Sequence, residues 1–171
     1  MDVLREFDIE FIKLKEGEHH FEYQITEPFF KAFGSSLTAQ DMTVRLTFSR
    51  SATMFTLVFD LSGKVELDCD RCLTRIALPV KGHHTVVVKV SEFERESEDD
   101  LIYITPHEHK INIAQHVYDF INLSLPIKRT CSDIGQVCDP SIAGKISSMI
   151  DVEMAENDLP ERDTDEEDNE E

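Results

Sequence analysis

Between residues 42 and 90 apolar side chains recur at every second position, a period that holds this stretch of the chain to sheet. Val44, Leu46 and Phe48 share one face of residues 42–49, with Thr43, Arg45 and Thr47 on the other. Residues 55–61 and 64–67 read as one long strand, bent at a glycine bulge at Gly63. Ile76, Leu78 and Val80 renew the alternation, and residues 85–90 are a nearly unbroken β-branched run. The pattern predicts an antiparallel meander with the turn Cys69-Asp70-Arg71-Cys72 at one rim.

On either side the signals are shorter. Phe7, Ile9 and Phe11 alternate, as do Phe21, Tyr23 and Ile25, and Gly17 between them predicts a hairpin of residues 7–14 with 19–25. Thr26 and Glu27 precede Pro28, and Gly34 follows Phe33, which predicts a short helix over 28–33 whose phenylalanines fill core. Residues 101–104 read as a short strand. Ile113, Val117, Phe120 and Ile121 sit at helical spacing behind Asn112 as N-cap, and Pro126 ends the run. A further short helix is expected over 141–152. The fold class is α+β, mainly antiparallel β in a meander or barrel-like sheet, with one principal helix near 113–124. One domain over 1–152 and a disordered acidic tail over 153–171 account for all 171 residues.

The net charge of −18 is concentrated. Residues 151–171 hold 12 acidic side chains against Arg162, and residues 91–100 hold six against Arg95, so the second stretch is expected to be a mobile loop. The remaining chain is close to neutral, so whole-chain charge does not exclude a nucleic-acid partner. No signal-like apolar run opens the sequence, and no run of about 18 apolar residues occurs. The expected location is therefore cytoplasmic, away from membrane, with thiols reduced.

Four cysteines remain to be placed, Cys69 and Cys72 early, Cys131 and Cys138 late. A fold that joined the pairs would supply four sulfurs, a closed set for structural Zn2+ that leaves no position for water. Two other readings stand beside it. The four are separate buried thiols, or Cys69 and Cys72 form a redox pair; the latter chemistry favours a helix N-terminus, whereas residues 73–80 read as strand. His107, His109 and His116 are alternative ligands, each more simply a solvated or core histidine. Arg71, Arg75 and Lys81 follow the first pair, and Lys128 and Arg129 precede the second. With the pairs together, these five form a cationic surface suited to phosphate contacts; apart, they are solvated side chains diluted by Asp68, Asp70 and Asp133. No glycine-rich phosphate loop, nucleophile elbow or His-Glu-x-x-His is present, so neither an enzyme nor a small-molecule substrate is expected.

The meander, Cys69-Asp70-Arg71-Cys72-Leu73, Asn112-Ile113-Ala114, Leu123-Ser124-Leu125-Pro126, and Cys131 with Gly135-Gln136-Val137-Cys138 together resemble the bacterial YceD family over about residues 7–140. That resemblance implies a role in synthesis, processing or stability of 23S ribosomal RNA. The implied partner is the rRNA itself or a ribosome-assembly protein. Many relatives continue the late region as Gly-Leu-Cys-x-x-Cys-Gly, whereas here Cys138 is followed by Asp139-Pro140-Ser141.

Overall fold

The structure is a computed structural model and describes residues 3–91 and 101–142. The acidic loop, the acidic tail and all but the first two residues of the helix expected over 141–152 lie outside the described residues. Strands β1 (Asp8–Ile9), β2 (Gly17–Ile25), β3 (Thr38–Arg50), β4 (Met54–Asp68), β5 (Arg75–Val90), β6 (Leu101–Ile104) and β7 (Ile111–Asn112) are joined by helices α1 (Glu27–Ala32) and α2 (Ala114–Leu123). Short 3-10 turns occupy Val3–Phe7, Phe11–Lys13 and Cys131–Ile134.

The main sheet has the order β2-β3-β4-β5-β6, antiparallel from β2 to β5, with β6 added parallel to β5. Its edges β2 and β6 do not pair with each other, so the sheet is open and the barrel-like alternative is corrected. The period-two pattern explains the rest: Val44, Leu46, Phe48, Leu57, Phe59, Val65, Leu78, Val80, Val86 and Val88 all point to one buried face.

Two further expectations need correction. The predicted N-terminal hairpin does not form: β1 pairs with β7 through Asp8↔Asn112 and Ile9↔Ile111, residues 11–13 turn, and β2 pairs with β3. Alternation fixes a strand's faces and leaves its partner open. The bulge expected at Gly63 lies on the opposite strand, where the β3 register shifts between Gln40 and Thr43 and Asp41 has a φ of 51°. Gly63 is what admits it, since a Cβ there would come within 2.5 Å of the Met42 Cα.

Helices cover the apolar face. Helix α1 carries Pro28 in its first turn and places Phe29 and Phe30 in the core, 1% and 0% exposed, each burial worth about 1.5–3 kcal/mol. Phe29 meets Phe7 at 4.9 Å, and Phe33 stacks on Tyr118 of α2 at 4.5 Å. Helix α2 buries Val117, Phe120 and Ile121, with Phe120 against Phe59 at 5.1 Å and against His84 at 4.3 Å. The N-cap falls at Ile113, one residue after the Asn112 expected there, and Asn112 Oδ1 accepts from the Ala114 N–H at 3.0 Å just ahead of the helix. At the other end Ser124 Oγ reaches the Phe120 carbonyl, and glycine at position 82 leaves room for it against β5. Among the described residues no helix is long and apolar enough to cross a membrane.

Candidate metal centre

The β4–β5 connection is a knuckle. Cys69 N–H donates to the Thr74 carbonyl at 2.9 Å and Leu73 N–H to the Cys69 carbonyl at 2.9 Å, with Leu73 at a φ of 58° where the chain turns back. Both sulfurs thereby leave the turn on one side, and the Arg71 N–H donates to Cys69 Sγ at 3.4 Å.

From α2 the chain passes through Pro126 and is fastened to this knuckle at Asp70. Asp70 N–H donates to the Arg129 carbonyl at 2.8 Å, and Arg129 N–H donates to Asp70 Oδ2 at 2.7 Å. The next turn is fixed by Asp133, whose carboxylate accepts from the Thr130 N–H at 2.7 Å and its hydroxyl at 2.8 Å. These bonds, together with a charge interaction from Lys128, hold the Asp133 pKa below the ordinary carboxylate value. Gly135, with a φ of 72°, ends the turn, and Gln136 N–H returns to the Cys131 carbonyl at 2.8 Å.

The result brings all four cysteines together. Cys72 and Cys131 sulfurs are 3.5 Å apart, Cys69 and Cys138 sulfurs 3.9 Å, and all four lie within 4.8 Å of one another. A tetrahedral site with metal–sulfur bonds near 2.3 Å has sulfur–sulfur edges of roughly 3.8 Å, so the set is compatible with zinc. Among the described residues the cluster consists of these sulfurs alone, without His107, His109 or His116. The thiols are electrostatically unequal. Thr74, whose Oγ1 is 3.3 Å away, and nearby backbone donors lower Cys72 to about 6, while burial pushes Cys131 up to about 12. Burial likewise raises Cys138, and at Cys69 the same burial is outweighed by the hydrogen bonds its sulfur receives.

A family model described as large ribosomal RNA subunit accumulation protein YceD matches residues 57–168, a span that contains both cysteine pairs and α2. The chain belongs to the YceD family. No curated protein and no solved structure gives a significant match. Family membership carries a role in large ribosomal RNA subunit accumulation.

The five basic residues of this YceD chain are distributed unequally around the cage. Arg71 and Lys128 line one groove of about 450 Å3 together with Thr130, Val137, Cys138 and Pro140. Arg129 turns to Asp70 at 3.3 Å. Arg75 pairs with Asp68 at 3.4 Å and also donates to the Ser36 carbonyl and the Thr38 hydroxyl. Lys81 lies six positions further along β5, roughly 20 Å away along the strand, in a separate groove with Arg45, Asp60 and His83. The structure thus gathers two of the five and ties two others to carboxylates. Three groups that shape the site escaped the sequence reading: Thr74 beside Cys72, Asp70 as fastener and Asp133 as cap. The spacing Thr130-x-x-Asp133 is the one legible signal among them.

Proposed function

We propose that this YceD protein is a non-enzymatic, cytoplasmic factor in the accumulation of 23S rRNA, its working end tied together by a structural Zn2+ on Cys69, Cys72, Cys131 and Cys138. The convergence of four sulfurs within 4.8 Å carries the reading. Bound there, zinc would supply cross-linking of the β4–β5 knuckle to the post-α2 segment, and four thiolates would fill its coordination. The proposed contact is the groove beside it, whose Arg71 and Lys128 form no ion pair among the described residues and would meet phosphates.

Elemental analysis of protein purified without chelator tests the metal, with about one zinc per chain expected. A ratio near zero would leave the cysteines as core thiols. RNA contact is tested by titrating large-subunit rRNA fragments at several salt concentrations. Two phosphate contacts predict a slope of log K on log salt of about −1.4 to −1.8, lost in an Arg71→Ala/Lys128→Ala variant. No binding at low salt would refute phosphate contact.

A second reading is an adaptor that binds an assembly protein and touches no RNA. It is favoured by Leu73, Ile127 and Val137, which are 71%, 101% and 93% exposed and adjoin Cys72, Lys128 and Cys138 in the chain. Loss of partner binding in Ile127→Ala/Val137→Ala with no salt-dependent RNA binding in the parent would select it.

A further inference from the structure

The cage is closed on three of its corners and open on the fourth. Cys69, Cys72 and Cys131 are 0%, 1% and 2% exposed, whereas Cys138 is only half-buried and lines the same groove as Arg71 and Lys128. A reagent arriving from solution therefore meets one sulfur before the others. That sulfur has a partner within reach, since Cys69 Sγ is 3.9 Å away and a disulfide bond of about 2.05 Å requires an approach of roughly 2 Å. The Cys72–Cys131 pair is closer, at 3.5 Å, but both members are sealed.

We propose that Cys138 is a modification site for small, negatively charged disulfides of the glutathione type, and that Cys69 resolves the adduct. The Cys138 thiol gives its proton to solvent and its sulfur attacks one sulfur of the disulfide. That S–S bond breaks, a Cys138–glutathione bond forms, and the departing glutathione thiolate takes a proton from solvent. The Cys69 thiolate then displaces the second glutathione, forming Cys69–Cys138. Two protein sulfurs give up two electrons, and one glutathione disulfide becomes two thiols. Arg71 and Lys128 favour this oxidant over a cationic one because they flank the groove it must enter. Cys69 and Cys138 joined in a disulfide would no longer serve as thiolate donors, so a metal held by the four sulfurs would be released. Release rests on the zinc reading, whereas the exchange does not.

The test uses the full-length, metal-replete protein at low ionic strength. It is treated with glutathione disulfide, followed by intact mass and disulfide mapping, with a chromogenic chelator reporting zinc. A single glutathionyl adduct on Cys138 should appear first and convert to Cys69–Cys138 with one zinc freed, while Cys69→Ser should hold the adduct. Cystamine, a cationic disulfide, serves as the control in unmutated protein. With each rate normalised to a free cysteine derivative, glutathione disulfide should react at least several-fold faster. Arg71→Ala/Lys128→Ala should erase that preference. A first adduct or first disulfide at Cys72 or Cys131, equal normalised rates, or no reaction would overturn the assignment. Mapping as expected from protein that contains no zinc would remove the metal reading and leave this one standing.

Discussion

Gly63 shows how one missing side chain sets a strand. Its φ of 155° and the 2.5 Å and 2.6 Å approaches its Cβ would make to the Met42 Cα and the Asp41 carbonyl leave no small adjustment that relieves both clashes, since both belong to backbone. Gly63→Ala is expected to cost more than about 2 kcal/mol. That corresponds to a fall in Tm of about 5 °C or more by thermal unfolding, and an unchanged Tm would show that the bulge can relocate. The glycine was legible in the sequence as a bulge marker, but a bulge is a property of two strands, and nothing in one strand says which of them carries the extra residue. His116 supplies a second test. Burial lowers its pKa from 6.5, against a smaller opposing pull from Asp119, and its Nδ1 has no hydrogen-bond partner among the described residues. A base buried in its neutral form binds fewer protons folded than unfolded. Its stabilisation is thus complete above about pH 6.5 and is lost as pH falls through 6.5 towards the folded value. Urea midpoints measured from pH 8 to pH 5 should fall on the acid side, and His116→Gln should reduce that fall.

Among the elements, the ones legible in the sequence were those whose period and ends both lie in the chain itself. Strands β3 to β5 show alternation over long runs, and α2 has its apolar spacing, Asn112 and Pro126. Pairings with a distant partner were not legible: residues 101–104 read as a strand, but not as β6 added in parallel to β5, and the two residues of β1 meet β7 and not β2. The cage falls between these cases. Cys69-x-x-Cys72 announces a knuckle, but only the Asp70–Arg129 exchange and the Asp133 cap explain how cysteines seven positions apart present both sulfurs to it. This division predicts the response to metal removal. The β2–β5 meander has its own core in Val44, Phe48, Leu57, Phe59 and Val86, whereas residues 127–139 hold on through the knuckle. Chelation should therefore leave the far-ultraviolet β signal in place and speed amide exchange mainly at residues 69–74 and 127–139. Collapse of the whole sheet signal on chelation would show that the cage nucleates the fold.

At the scale of the whole molecule the proposed RNA contact raises the question of how a chain of net charge −18 would approach a polyanion. Near the cage the cations Arg75 and Arg129 are offset by Asp68 and Asp70, so the attractive field comes from Arg71 and Lys128. Pro140 lines the same groove, and the acidic run from residue 151 starts 11 residues later in the chain. Eleven residues span at most roughly 40 Å, comparable to a Debye length of about 30 Å at 0.01 M salt and far above the 8 Å at 0.15 M. The acidic side chains at the start of residues 151–171 consequently weigh on the groove in dilute salt and are mostly screened at physiological ionic strength. Truncation after Val152 should accelerate association with large-subunit rRNA fragments several-fold at about 0.01 M salt and change it little at 0.15 M. The salt slope of the truncated chain should become steeper, because the repulsion that salt relieves in the full chain is gone. An association rate at low salt that ignores the truncation would mean that RNA meets the protein on a face the acidic run does not reach, and the groove beside Cys138 would lose its claim to that contact.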